Sequence, residues 1–119
     1  MARESDDDAI SKWEIQVRKG LLEFVILLSL RDREQYGFEL ISGIAARASL
    51  ELPEGTLYPL LLRLSKDALI ASRFGEGDGG APRKYYSLTP RGRALLDAMT
   101  RSWARLSSSV DRMLEGGSA

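Results

Sequence analysis

Two stretches hold the side chains best suited to chemistry. Residues 54–66 include Thr56, Tyr58, Arg63 and Lys66, and residues 82–89 include Arg83 and Lys84 followed by Tyr85, Tyr86 and Thr89. Hydroxyls and cations of this kind donate hydrogen bonds to anionic oxygens, phosphate above all. They do not make a bond-breaking site. The chain has no histidine and no cysteine. That removes imidazole catalysis, thiol chemistry, disulfides and the common zinc sites. No acid pair stands at a cleft-like spacing, so neither an enzyme nor a cofactor or metal is expected. Gly75-x-Gly77-x-Gly79-Gly80 superficially resembles a phosphate loop. It lacks a following Lys-Ser or Lys-Thr and opens no helix, so it is read as a turn.

The elements that must position these residues follow from periodicity. Ser11 to Glu14 has capping-box spacing and predicts a first helix from Ser11. Its apolar residues are Trp13, Val17, Leu21, Leu22, Phe24, Val25, Leu27 and Leu28. From Leu21 on it is apolar nearly all round, as in a buried central helix. The charged run 31–35 ends it. Tyr36-Gly37 opens a second helix, with Phe38, Leu40, Ile41, Ile44 and Ala45 at helical spacing. Residues 50–52 form a short extended link. A third helix is expected from about Glu54 to Lys66, with Leu57, Leu60, Leu61 and Leu64 inward and Tyr58, Arg63 and Lys66 outward. Pro59 lies near its start, where a missing N–H costs least.

Leu69 to Phe74 and Arg83 to Leu88 read as two strands joined by a Gly-rich tip. Side chains alternate along a strand, so Arg83 shares a face with Tyr85, and Lys84 with Tyr86. With Arg83 facing a ligand, Tyr86 belongs to the core and Lys84 reaches out only from the strand edge. Glu76 and Asp78 at the tip repel phosphate, which leaves firm contacts to the strands. Thr89-Pro90 is a strong helix start, and the last helix runs to about Leu114, ended by Gly116-Gly117. The expected fold is mainly α with a small β-hairpin. It divides into a flexible start (1–10), a winged helix-turn-helix (11–88), a C-terminal dimerisation helix (89–115) and a tail (116–119).

This order of parts suits DNA. A recognition helix sets a polar face near its N-terminus against base edges and its apolar face against the domain. Thr56 can reach a phosphate or a thymine methyl, Tyr58 can donate to a phosphate, and Arg63, Lys66, Arg83 and Lys84 suit the backbone. Taken singly, Thr56 reads first as a cap, Tyr58 and Tyr86 as core, and the arginines as a solvated face; the ordered set of helix, helix, hairpin and basic wing favours DNA. Net charge is zero, yet residues 56–93 carry seven basic and three acidic side chains, an excess of four positive charges. The N-terminus (Glu4, Asp6, Asp7, Asp8) is acidic, with no visible signal peptide. The longest apolar run, Phe24 to Leu28, is far short of a membrane span. The absence of cysteine agrees with a cytoplasmic protein.

In the last helix Leu96, Met99, Trp103, Leu106, Val110 and Met113 recur in steps of three and four. A small domain has little with which to cover such a stripe, so a second copy of the chain is expected on it, helped by Val17 and Leu21 of the first helix.

The chain resembles the PadR family of bacterial transcriptional regulators over about residues 12–115. The carriers are Gly20-Leu21-Leu22-Glu23, Tyr36-Gly37-Phe38-Glu39-Leu40, Gly55-Thr56-Leu57-Tyr58-Pro59, Arg63-Leu64, Pro82-Arg83-Lys84-Tyr85-Tyr86, and Leu88-Thr89 with Gly92. The single helix after the wing resembles the short subfamily. The resemblance implies a homodimer whose last helix packs on the partner's first, and repression through inverted-repeat operators. It implies DNA contact for Tyr36, Thr56, Tyr58, Arg63, Lys66, Arg83 and Lys84. A Ser-Trp pair like Ser102-Trp103 lines an apolar cavity between subunits in some short relatives. Trp103 thus either helps bind a planar aromatic ligand, with Met99, Trp13 and Phe24, or only fills the dimer seam. Three departures stand out. Pro53 replaces a capping Ser or Asn, Ser65 replaces Glu, and Ala68 replaces Gly at the turn out of the third helix. The rival to a regulator is a winged-helix dimer that binds protein and has no operator, a role that net neutrality would suit.

Overall fold

Leucine and isoleucine at helical spacing build one core from three helices. The computed structural model describes residues 2–116. In it α1 spans Ala2–Ser29, α2 Gly37–Ala48 and α3 Glu54–Lys66. Strands β1 (Gln35–Tyr36), β2 (Ile70–Glu76) and β3 (Pro82–Leu88) form the sheet, and α4 (Pro90–Leu114) closes the chain. Phe24, Ile26 and Leu27 of α1, and Leu30 just after it, are buried against Leu40 and Ile44 of α2 and Leu57, Leu61 and Leu64 of α3. Leu52, Leu69, Ile70, Tyr86 and Leu96 complete this cluster. At about 25 cal/mol per Å² of apolar surface removed from water, such residues supply most of the drive to fold.

The first helix starts earlier than its capping box predicts. Ser11 lies inside α1, and residues 2–10 are helical rather than a frayed start. No glycine or proline interrupts the chain from Ala2 to Lys19. Asp6, Asp7 and Asp8 also sit towards the positive end of the helix dipole, where carboxylates are favoured. Residues 5–20 are exposed throughout. At the other terminus α4 ends at Leu114 as expected, and Gly116 turns left-handed (φ 70°). The rest of the expected tail, 117–119, lies outside the described residues.

The sheet holds a strand that periodicity missed. Its order is β1-β3-β2, all antiparallel. β1 is two residues long, too short to show an alternation, and pairs Gln35 with Tyr86 and Tyr36 with Tyr85. Gln35 is buried, and its side-chain amide donates to the Ser29 carbonyl, satisfying an end group of α1. β2 and β3 pair from Ile70↔Leu88 to Glu76↔Pro82.

The stripe on α4 divides. Leu96, expected at the dimer seam, is 2% exposed inside the chain's own core. The first turns of α4 lie on the winged domain because Thr89 and Gly92 tie them there. The Thr89 hydroxyl donates to the Ala68 carbonyl (2.6 Å) and accepts from the Gly92 N–H (3.0 Å), while the Thr89 N–H donates to the Leu69 carbonyl (3.1 Å). A Cβ on Gly92 would stand 1.9 Å from the Leu69 oxygen, so only glycine permits this approach. Further along, Trp103, Leu106, Val110 and Met113 are exposed.

The joint between α3 and β2 stores strain. Leu69 N–H donates to Leu64 and Ala68 N–H to Ser65, both at 3.0 Å, a Schellman ending that needs a left-handed residue at position 68. Ala68 takes it with φ 60°, a region that penalises a Cβ. Ala68→Gly is therefore expected to raise stability by about 0.5–1 kcal/mol, after allowing for glycine's freer unfolded chain. Urea unfolding at one fixed protein concentration checks this, and a loss of stability would contradict the strain.

Candidate nucleic-acid interface

Tyr36 ends β1 and caps α2, which puts its ring beside the wing. Its backbone N–H donates to the Glu39 carboxylate (3.1 Å), and that carboxylate also pairs with Arg33 (3.3 Å). Registry places Tyr85 opposite both Tyr36 and Arg73. The Tyr36 and Tyr85 rings meet edge to face at 5.6 Å. The Arg83 guanidinium lies 4.2 Å above the Tyr36 ring, and that of Arg73 lies 4.9 Å from Tyr85. Arg73 also grips Glu34 with both its Nε (2.9 Å) and an Nη. These hydrogen bonds hold the Glu34 carboxyl below its ordinary range and raise the Arg73 guanidinium in turn. The result is a cation–ring ladder along one face of the wing. The ring contact orients the Arg83 guanidinium along this face.

Tyr58 joins this cluster from α3. Its hydroxyl rests over Gly37, where an added Cβ would come within 2.3 Å of it. Burial pushes the Tyr86 hydroxyl up, and the neighbouring Tyr58 phenol adds to the shift. Tyr36, Tyr58 and Arg83 thus converge at the N-terminus of α2. Tyr86 is 6% exposed, as alternation requires once Arg83 faces the other way.

The remaining expected contacts lie elsewhere. Arg63 does not simply face outward, because it pairs with Glu23 of α1 at 3.4 Å. That pair is more than half exposed at Arg63, so water screens it and a phosphate can compete for the guanidinium. Thr56 lines a groove between α3 and α1 with Lys19, Gly20, Glu23 and Arg63. Lys66 is exposed in the last turn of α3. Lys84 is on the opposite face of the wing, its Nζ 6.0 Å from the Tyr86 ring. Pro53 caps α3 with its carbonyl alone, which accepts from the Thr56 and Leu57 N–H groups at 2.9 Å. Sequence reasoning missed Arg73, Glu34 and the contact role of Gly37. The first two need the hairpin register, and the third needs the crossing of α2 and α3.

A second concave region lies between α1 and α4, about 370 Å³ in volume. Val17, Leu21, Phe24, Met99, Trp103 and Leu106 supply its apolar walls. Phe24 and Trp103 touch at 6.5 Å between ring centres. Phe24 itself is mostly buried, whereas Trp13 is exposed and not part of the lining. Among the described residues no cluster of acids could hold a metal, and no helix is long and apolar enough to cross a membrane.

Known proteins share this architecture. Residues 26–98 match the profile of the Transcriptional regulator PadR-like family. A PadR family transcriptional regulator from Eggerthella lenta superposes with a TM-score of 0.84 at 33% identity, covering 96% of this chain and 99% of its own. A PadR-like transcriptional regulator from Bacillus cereus gives a TM-score of 0.78 at 36% identity, covering 86% of this chain and 99% of its own. A transcriptional regulator of Mycobacterium tuberculosis is 34% identical over 95 residues, 80% of this chain and 87% of that protein. With a winged helix, a basic hairpin and this likeness along most of its length, the chain belongs to the PadR-like family of transcriptional regulators, which bind DNA and are not enzymes.

Proposed function

We propose that the protein is a homodimeric, cytoplasmic repressor that binds an inverted-repeat operator. The observation that carries this is the convergence of Arg83, Tyr36 and Tyr58 beside the exposed side of α3. A helix that enters the major groove needs cations and hydroxyls at its flank to hold phosphates, and this cluster supplies them. Lys66, Thr56 and Arg63 extend the contact along α3, with Arg63 exchanging Glu23 for a phosphate. Lys84, on the far wing face, contributes less.

The second copy covers what one chain leaves bare. Trp103, Leu106, Val110 and Met113 of α4 are exposed, as is Val17 of α1. Paired about a twofold axis, these residues with Met99 and Leu21 form the seam and set the spacing of the two heads. A planar aromatic ligand between the two Trp103 indoles is favoured by stacking and apolar burial, and it alters DNA affinity by preferring one head spacing. Phe24 and Met99 line the cavity beside Trp103, and Trp13, exposed on α1, would join them in the dimer.

Three outcomes are expected. In gel shifts with DNA from its own promoter, Arg83→Ala weakens binding about tenfold and lowers the log–log salt slope by about 1, and Lys84→Ala has a smaller effect. No shift by the wild type at modest salt, or an unchanged one for Arg83→Ala, contradicts the interface. In sedimentation, the wild type runs as a dimer, and Leu106→Glu with Val110→Glu runs as a folded monomer with little operator affinity. A monomeric wild type ends the dimer assignment. In a Trp13→Phe background Trp103 is the one indole left. Its emission should quench with a flat aromatic such as an acridine and not with an aliphatic of equal size. Indifference to a panel of flat aromatics leaves Trp103 as seam only.

A further inference from the structure

Of the α3 residues expected to touch DNA, Lys66 alone stands on the helix's most outward line. Leu57, Leu61 and Leu64 are buried, and opposite them Gly55, Pro59, Leu62 and Lys66, spaced four, three and four apart, are all exposed. That spacing puts the four on one face of the helix. The polar residues lean to the flanks. Tyr58 is held over Gly37 on one side, and Thr56 and Arg63, with an edge of Pro59, line the groove against α1 on the other. The crest therefore carries a glycine, a proline, a leucine and, in the last turn, a lysine.

Such a crest has little with which to read bases by hydrogen bonds. Guanine is read by paired donors of Arg or Lys, and adenine by Asn or Gln. The helix contains no Asn or Gln, and its one Arg is turned to α1. What an apolar side chain can recognise in the major groove is the C5-methyl group of thymine. Leu62 is 57% exposed. Pro59 lies one turn before it and extends the apolar surface, and Gly55 beyond adds no bulk to keep the groove floor away. An exposed leucine alone is ordinary. This one lies between Lys66 and the Arg83–Tyr36–Tyr58 cluster, so the partner that fits the surface is apolar at its centre and anionic at its edges. A thymine methyl between two phosphate backbones has that pattern.

We propose that Leu62 is a specificity-determining residue, whose side chain packs on a thymine C5-methyl in each operator half-site. The proposal rests on the DNA-binding function above and adds the chemical group that is read. Its consequence is a site chosen by methyl groups and shape rather than by a hydrogen-bond code.

Replacing thymine by uracil removes the methyl and leaves base pairing unchanged. The test uses the protein's footprinted promoter site, resynthesised with deoxyuridine at each thymine in turn, and gel shifts at one salt concentration. Wild type should lose about fourfold in affinity per half-site at one thymine position, the worth of one buried methyl group. Leu62→Ala should bind the thymine and uracil sites equally, with the wild-type salt slope and helical circular dichroism. Lys66→Ala should keep the thymine preference and show a shallower salt slope. Equal wild-type binding of both DNAs, or a preference that persists in Leu62→Ala, overturns the proposal while the regulator stands. A wild type that shifts no promoter DNA overturns the DNA-binding function itself.

Discussion

The seating of Gly92 on the Leu69 carbonyl is the contact on which the rest depends. It brings the end of α3, the start of the wing and the first turn of α4 to one point. Thr89 locks that point with three hydrogen bonds to Ala68, Leu69 and Gly92. Without the close approach, α4 would stand off from the domain and Leu96 would leave the core. With it, the direction of α4 is tied to the direction of α3. These two helices therefore move as one body, so the proposed DNA-reading and dimer-forming surfaces would be held at one angle. Ala68, held left-handed at the same joint, shows that this geometry is kept even at a backbone cost.

Charge placement serves the same end. The chain is neutral overall, so its attraction to phosphate depends on where the cations are held. Two modes of restraint are visible. Arg63 and Arg73 are held by carboxylates, Glu23 and Glu34, at the surface. Arg83 lies on an aromatic ring, a contact that orients its guanidinium.

Much of this was legible in the sequence, and the failures share a cause. Helices α2, α3 and α4 follow from apolar spacing and from Thr89-Pro90, because those signals are local. The alternation that puts Tyr86 in the core and Arg83 outside is equally local. The early start of α1 was hidden by a capping box that lies inside a run with no helix breaker. β1 was hidden by its length, since two residues carry no period. Leu96 shares its stripe with Trp103, and only the fold shows where along α4 the domain ends. Arg73, Glu34 and Gly37 matter through neighbours 12, 39 or 21 positions away, a kind of information that no window of sequence contains. The family likeness named Tyr36, Tyr58 and Arg83 among seven expected DNA contacts, and the structure brings these three of them together at the N-terminus of α2.

The length of α4 has a mechanical meaning. Its 25 residues rise roughly 37 Å along the axis, and their contacts with α1 reach about as far as Trp103 and Leu106. In the dimer proposed above, joined near the free end, the helix would be a lever that pivots at the seam and carries the winged domain with it. A tilt of about 5° over that length displaces the far end by about 3 Å. That displacement is about one base-pair rise along B-DNA, where a turn of some 10 base pairs spans roughly 34 Å. In such a dimer, a joint only as wide as a glycine hydrogen would carry the tilt undiminished to each head on the double helix.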